Sequence, residues 1–228
     1  MDKRKYALHY VLFSSDWRDY RGTYLAVGVL WESSCQQPCF LCGCSGSDTG
    51  SGLDGLLDTS DALHSYQPRE RKLEILKDSH AGAFAIITAV VYFLLYLGVY
   101  SEITLKSLPV VCIGFVLSRA LGGFSIAAFP MAKNTGLAAA FSDGAQKQCV
   151  KMVCAIYGIL CVVSMLAYDP LIGGCAVLGA ALEYLYYYKM SMKEFGGITG
   201  DLAGFHMQMS ELVMAFFCVA GEIISRFL

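Results

Sequence analysis

From residue 83 to the C-terminus the chain alternates long apolar runs with short polar joints. Five runs, near 83–101, 108–130, 150–168, 170–188 and 202–226, reach the roughly 17–25 residues that cross a bilayer as a helix. Pro109 and Pro170 stand at the starts of two of them, where a missing N–H costs little. Glu183 precedes the run Tyr184, Tyr186, Tyr187 and Tyr188, a pattern expected where a helix ends at the membrane interface. Upstream the pattern changes. The stretch "GLDGLLDTSDALHSYQPRERKLEILKDSHAG" (52–82) reads as two amphipathic helices, the second opened by Pro68, carrying Glu74 and Asp78 at i, i+4, and ended by Gly82. The predicted fold is all-α, a polytopic transmembrane helical bundle with cytoplasmic amphipathic helices. Residues 52–228 form its membrane-embedded domain and 1–51 an atypical N-terminal segment.

Composition agrees with the runs. Of 228 residues, 56% are hydrophobic and 16% charged, with mean hydropathy +0.51; soluble domains carry about 25% charged residues. A net charge of −2 argues against a nucleic-acid partner, which would call for a basic surface. Cys112, Cys154, Cys161, Cys175 and Cys218 lie within apolar runs and read as small hydrophobes. Basic residues orient the bundle. Arg69, Arg71, Lys72, Lys77, Lys133, Lys147, Lys151, Lys189 and Lys193 fall on one side of the predicted crossings, and Lys106 on the other. The positive-inside tendency then places the 52–82 stretch and the loops near 133–149 and 189–201 in the cytoplasm. The expected location is the cell membrane, with the polar chemistry on its cytoplasmic side.

The first fifty residues do not fit this plan. Cys35, Cys39, Cys42 and Cys44 crowd into ten positions, a poor tetrahedral cage for zinc, whose usual frameworks pair two knuckles across a loop. Instead, "VLFSSDWRDYRGTYL" (11–25) can be back-translated so that the +1 frame reads FFFPLIGVIIGALT, an apolar membrane helix. Residues 8–51 are therefore expected to be a frame-shifted translation, and a chain that truly carried them would be impaired. The underlying DNA tests this.

The 52–82 stretch carries the chemistry. Asp54, Asp58 and Asp61 are spaced i, i+4, i+7 and fall within about 60° of one another on a helix. Gly55 leaves the backbone open to close approach. Like charges stacked on one face repel unless a cation intervenes. With Asp78 the set offers oxygen ligands suited to Mg²⁺, which keeps several waters and shares a substrate's phosphates.

"LDGLLDTSDAL", "RERKLEILKDSHAGAF" and, far downstream, "GGITGDLAGFHMQMSELV" resemble cobalamin synthases, the membrane-bound adenosylcobinamide-GDP ribazoletransferases. The shared residues, in order, are Asp54, Gly55, Asp58 and Asp61; Asp78, Ser79 and Gly82; Ser118 and Arg119; and Gly196, Gly197, Thr199, Gly200, Asp201, Gly204 and Glu211. The chain departs from the family pattern at Gly52, where a histidine is usual, and lacks an N-terminal P-L-x-G segment, which the shifted frame contains. The resemblance implies closure of a nucleotide loop. A hydroxyl of alpha-ribazole, or of its 5′-phosphate, attacks the phosphate next to cobinamide in adenosylcobinamide-GDP and expels GMP. Mg²⁺ on Asp54, Asp58, Asp61 and Asp78 would clamp the diphosphate, with Asp61 or Asp78 taking the hydroxyl proton. Arg119 would grip phosphate, because a guanidinium within a span must find an anion; an internal pair with Glu183 or Glu211 is the alternative. Thr199 and Gly200 stand where a helix N-terminus favours anions, or where a tight turn is needed, and Asp201 joins the metal set or orients a substrate hydroxyl. Lys133 adds charge for a phosphate or snorkels. Gln208 and Glu211 are substrate-binding candidates, His206 reads as a packed polar residue, and His64 and His80 have no evident partner. The lipid bilayer is the remaining partner, and a homo-oligomer is compatible with the pattern. A CDP-alcohol phosphotransferase fits less well, since its arginine after D-G and its later G-x3-D-x3-D are missing. A non-enzymatic transporter subunit would need a polar path through both leaflets.

Overall fold

The computed structural model describes residues 47–78, 80–132 and 144–227. The described elements are α1 (Ser47–His64), α2 (Arg69–Ile75), α3 (Ala83–Ser101), α4 (Leu108–Ala128), α5 (Gly144–Tyr168), α6 (Pro170–Met190), a π turn (Ser191–Phe195) and α7 (Gly200–Ser225). Five segments are long and apolar enough to cross a membrane: Ala83–Ser101, Leu108–Ala128, Lys147–Tyr168, Pro170–Phe195 and Gly200–Ser225. The protein is thus an all-α polytopic membrane bundle. Among the described residues no strand forms, and the extended backbone pairs once, at an isolated bridge between Met131 and Ile198.

The bundle is organised around α7, which packs on α6, α1, α4 and α3. Helices α3 and α5 keep apolar faces outward: Ile86, Ile87, Val90 and Leu94 on one, Ile156, Ile159, Leu160 and Val163 on the other. Such surface is costly in water and neutral against lipid tails, which are as apolar as leucine. Close helix approach relies on small residues. A Cβ at Gly173 would lie 2.2 Å from the Met165 carbonyl oxygen, where α5 turns into α6. Asp169 starts α6 by accepting the amides of Leu171 and Ile172, both at 3.0 Å, two of the donors that a helix leaves orphaned.

Helix α1 buries one stripe and exposes another. Leu56, Thr59, Ser60 and Ala62 are buried; Asp54 is exposed, and Asp58 and Asp61 are half-buried. Burial of Leu56 alone contributes about 2 kcal/mol. The helix runs antiparallel to the start of α7, since Gly55 faces the Asp201 backbone and Gly52 faces Gln208. No side chain would fit at the first crossing.

Two expectations need correction. Helix α2 ends at Ile75, short of His80. Lys77 and Asp78 donate their amides to Glu74 and Ile75 at 2.9 Å, and the Asp78 side chain accepts the His80 amide at 3.1 Å. An aspartate that bonds the backbone two residues on favours a turn over a helix. Glu74 consequently pairs with Arg71 at 2.6 Å and does not stack on Asp78. Second, Glu183 does not mark a helix end. Continuation of α6 through the π turn to Phe195 leaves it buried within the bundle.

Candidate active site

Three pieces of chain build one acidic group. Helix α1 supplies Asp54, Asp58 and Asp61, the segment after α2 supplies Asp78, and the first turn of α7 supplies Asp201. The charges of the other four all reach Asp58. Its carboxyl is pushed up to about 6, first by burial and then by the charges of Asp54, Asp201, Asp61 and Asp78.

The joint that delivers Asp201 explains the "GGITGD" motif. Gly196 closes the π turn with φ +69°, a left-handed conformation natural to glycine. A Cβ on Gly197 would meet the Ala132 nitrogen at 2.4 Å. Ile198 exchanges backbone bonds with Pro130 and Ala132 at 2.9 and 3.0 Å, and Thr199 caps α7 by accepting the Leu202 amide at 3.2 Å. Thr199 and Gly200, expected to meet phosphate, are thus placed as the cap and first residue of α7. The tight-turn alternative describes their geometry.

Asp61 also holds structure together. Its oxygens accept the amides of Gly82 at 2.6 Å and Ala85 at 2.9 Å, capping α3 across to α1. Each oxygen keeps a second lone pair, so a ligand role stays open to it. Asp78 turns toward His80, whose Nδ1 lies 2.8 Å from Oδ1, and this bond holds its carboxyl below the usual range.

Arg119 and Glu211 stand elsewhere. The Arg119 Nη1 donates to Glu211 Oε1 at 2.6 Å and to the Phe115 carbonyl at 2.9 Å, and the Ser118 hydroxyl donates to the same glutamate oxygen at 3.0 Å. Glu211 is ten residues along α7 from Asp201, about 15 Å at helical rise. The internal pair is therefore the arrangement adopted. It is removed from the carboxylates because a guanidinium within a span finds its anion on the neighbouring helix. Gln208 is likewise engaged and buried: its Oε1 accepts the Tyr92 hydroxyl at 2.8 Å. Its amide fills the space beside Gly52, the position of the family histidine, where a Cβ would lie 2.7 Å from Nε2. His206 is packed, with Nδ1 2.7 Å from Glu183 Oε2 and its ring stacked on Tyr187 at 4.7 Å. His64 donates to the Ser60 carbonyl at 2.8 Å and stacks on Phe84. Lys133, Ser79 and the cysteines at 35–44 lie outside the described residues.

Sequence reasoning missed Lys77, whose charge reaches Asp201, and the Lys72–Glu194 ion pair at 2.6 Å that fastens α2 to the π turn. The signal for Lys77 was its place beside Asp78, in a segment already marked for its carboxylate. Among the described residues, no three acidic, histidine or cysteine side chains already converge on one metal-sized point. Mg²⁺ needs no such cage, since one or two carboxylates, waters and substrate phosphates complete its shell. Oxygen-only donors whose combined charge raises the proton affinity of Asp58 suit such a cation.

A family profile described as cobalamin-5-phosphate synthase matches residues 44–219. Among curated proteins, an adenosylcobinamide-GDP ribazoletransferase of Lachnoclostridium phytofermentans is 46% identical over 173 residues, covering 76% of this chain and 66% of that protein. Proteins of the same name from Clostridium botulinum (strain Alaska E43 / Type E3) and Clostridium perfringens (strain 13 / Type A) are 32% and 34% identical, over 72% and 70% of this chain. The chain spans 66% of the length of the first two of these relatives and 64% of the third. No solved structure matches it. The matched span takes in α1, the segment behind α2 and the joint into α7, so the residues that build the acidic group are those the profile covers, and the chain belongs to the cobalamin-5-phosphate synthase family.

Proposed function

We propose that the whole protein is an integral-membrane transferase that joins adenosylcobinamide-GDP to alpha-ribazole or its 5′-phosphate, releasing GMP with the help of Mg²⁺. The names of the relatives supply the substrates. The observation that carries the reading is the acidic group itself, in which the charges of Asp54, Asp61, Asp78 and Asp201 all reach Asp58 although nearly 150 residues separate the first from the last.

Asp54, Asp58 and Asp201 would hold the metal, with Asp61 and Asp78 bordering it. When bound, Mg²⁺ supplies charge that draws electron density from the diphosphate and steadies the departing GMP. The chain's own residues position and move a proton. A ribose hydroxyl oxygen forms the new P–O bond, the bridging P–O bond to GMP breaks, and the hydroxyl proton passes to a carboxylate. The acceptor we assign is a carboxylate of the set that the metal does not occupy, Asp61 or Asp78. Asp61 also caps α3, and Asp78 bonds His80. The end of the bundle that carries the acidic group also carries Arg69, Arg71, Lys72, Lys77, Lys147, Lys151, Lys189 and Lys193. Lys106 and Arg226 stand at the other, which supports a cytoplasmic site in the cell membrane.

The test uses membranes bearing the full chain, from a gene whose 5′ reading frame has been checked. GMP should appear from adenosylcobinamide-GDP only when alpha-ribazole and Mg²⁺ are both present. No release, with other enzymes of the pathway absent, refutes the reading.

A further inference from the structure

We propose that Lys77 is a second cation of the site and binds the diphosphate of a nucleotide-linked substrate beside the carboxylates. The inference rests on the transferase reading above and adds to it a residue that Arg119 cannot replace.

The segment from Leu76 to Gly82 is anchored at both ends. Leu76 is buried in the core, and the amides of Lys77 and Asp78 are tied to the last carbonyls of α2 at 2.9 Å. At the far end Asp61 holds the amides of Gly82 and Ala85. Between these anchors the segment borders the acidic group, with Asp78 in the field of Asp58 and Lys77 in that of Asp201. Helix α2, which aims it, is itself pinned by Lys72 on Glu194 and by Arg69 on the Gly196 carbonyl at 3.5 Å.

Several cations of the protein already have work, although Lys147 and Lys189 at this end make no ion pair among the described residues. Arg71 pairs with Glu74 at 2.6 Å, Lys72 with Glu194 at 2.6 Å and Lys193 with Glu194 at 3.6 Å. Lys151 stands over the Phe124 ring, and Arg119 is held by Glu211. Lys77 is exposed, and among the described residues its ammonium makes no hydrogen bond and no ion pair within 4 Å of a carboxylate oxygen. It lies beside an acidic group without being consumed by it. A lysine is a compact point charge with three donors on a flexible stem, well suited to phosphate. A diphosphate linked at both ends carries two negative charges and gains more on the leaving phosphate as the bridging bond breaks, so a second positive group beside the metal steadies the departing oxygens. Lys77 is in position to supply it.

The probe is inorganic pyrophosphate with Mg²⁺, titrated into the full-length protein in detergent, for wild type, Lys77→Met and Lys77→Arg. Wild type binds; Lys77→Met weakens binding about tenfold to a hundredfold, while Lys77→Arg stays within about threefold because charge is kept. Melting of the ligand-free protein moves little, as expected for an exposed side chain. Equal affinity of Lys77→Met and wild type, absent binding by wild type, or an equal loss in Lys77→Arg with a lowered melting temperature overturns the proposal. GMP release is measured in parallel. Turnover by wild type with unchanged pyrophosphate binding in Lys77→Met removes Lys77 alone. A Lys77-dependent pyrophosphate site without any GMP release removes the transferase reading and keeps Lys77 as a phosphate ligand.

Discussion

Gly55→Ala tests the crossing on which the site depends. The new Cβ would lie 2.4 Å from the Asp201 carbonyl oxygen, 3.1 Å from its carbon and 3.2 Å from its Cα. Ordinary contact begins near 3.4 Å, so α1 and α7 must part by about 1 Å. All three clashing atoms are backbone, and no rotamer change relieves them. Overpacking of this kind costs about 1–3 kcal/mol, or a Tm lowered by about 2–10 °C for a chain of this size. The consequence for catalysis is larger, because the displacement falls between Asp54 and Asp58 on one helix and Asp201 on the other. A misplacement of about 1 Å can cost about a hundredfold in rate. The assay is GMP release per folded protein in membranes, with thermal melting in detergent alongside. Two controls bracket the result. Gly52→Ala meets only the Gln208 side chain, at 2.7 Å, which can move at the expense of its bond to Tyr92; a loss of about 1 kcal/mol and modest slowing are expected. Gly173→Ala clashes with backbone equally hard but where α5 meets α6, so it should lower Tm while sparing the rate of the molecules that fold. Turnover of Gly55→Ala within about threefold of wild type, or a loss no greater than that of Gly173→Ala at equal Tm, would refute the argument that this crossing sets the carboxylate geometry.

Asp58→Asn should abolish most turnover, by about a hundredfold or more, with membrane insertion intact. The same substitution reads out charge. Because the folded carboxyl is raised from 3.8 to about 6, the native state binds more protons than the unfolded one in that window. Stability therefore falls as pH rises from about 4 to about 6 and is level above, by about 1 kcal/mol once solvent screening of a half-exposed group is allowed for. Melting of the metal-free protein at stepped pH should show this slope in wild type and not in Asp58→Asn. Arg119→Leu should cost about 3–5 kcal/mol by leaving Glu211 buried and unpaired, and Arg119→Leu/Glu211→Gln should recover most stability and activity. A stable but inactive double variant would return Arg119 to the substrate. Lys72→Met frees Glu194 and unfastens α2; hydrogen exchange should quicken over 69–78, with the amides of α6 unchanged.

Much of this protein was legible in its pattern. Four of the five spans emerge within three residues of where the apolar runs place them, and the fourth in order runs on past 188 to Phe195, because hydrocarbon thickness sets a length that composition alone largely reveals. The carboxylate stripe of α1 follows from helical angle, and burial of the opposite stripe follows from Leu56 and Ala62. Local chemistry was harder to read. Helix α2 stops early because Asp78 bonds the His80 amide, a choice between helix and turn that propensity leaves close. Glu183 looked interfacial from its aromatic neighbours, yet the π turn extends α6 and carries it inward.

Helical period and charge placement, which need only neighbours in the chain, determined that this is a membrane bundle with carboxylates gathered at one end. Only the tertiary structure decided which partner each buried charge took. Arg119 had two glutamates within reason and found Glu211, 92 residues away, while Gln208 met Tyr92 across 116. Such pairings depend on the rotation and depth of each helix against its neighbours. These are set by glycine contacts such as Gly55 on Asp201, where a single methyl group's width fixes which side chains meet.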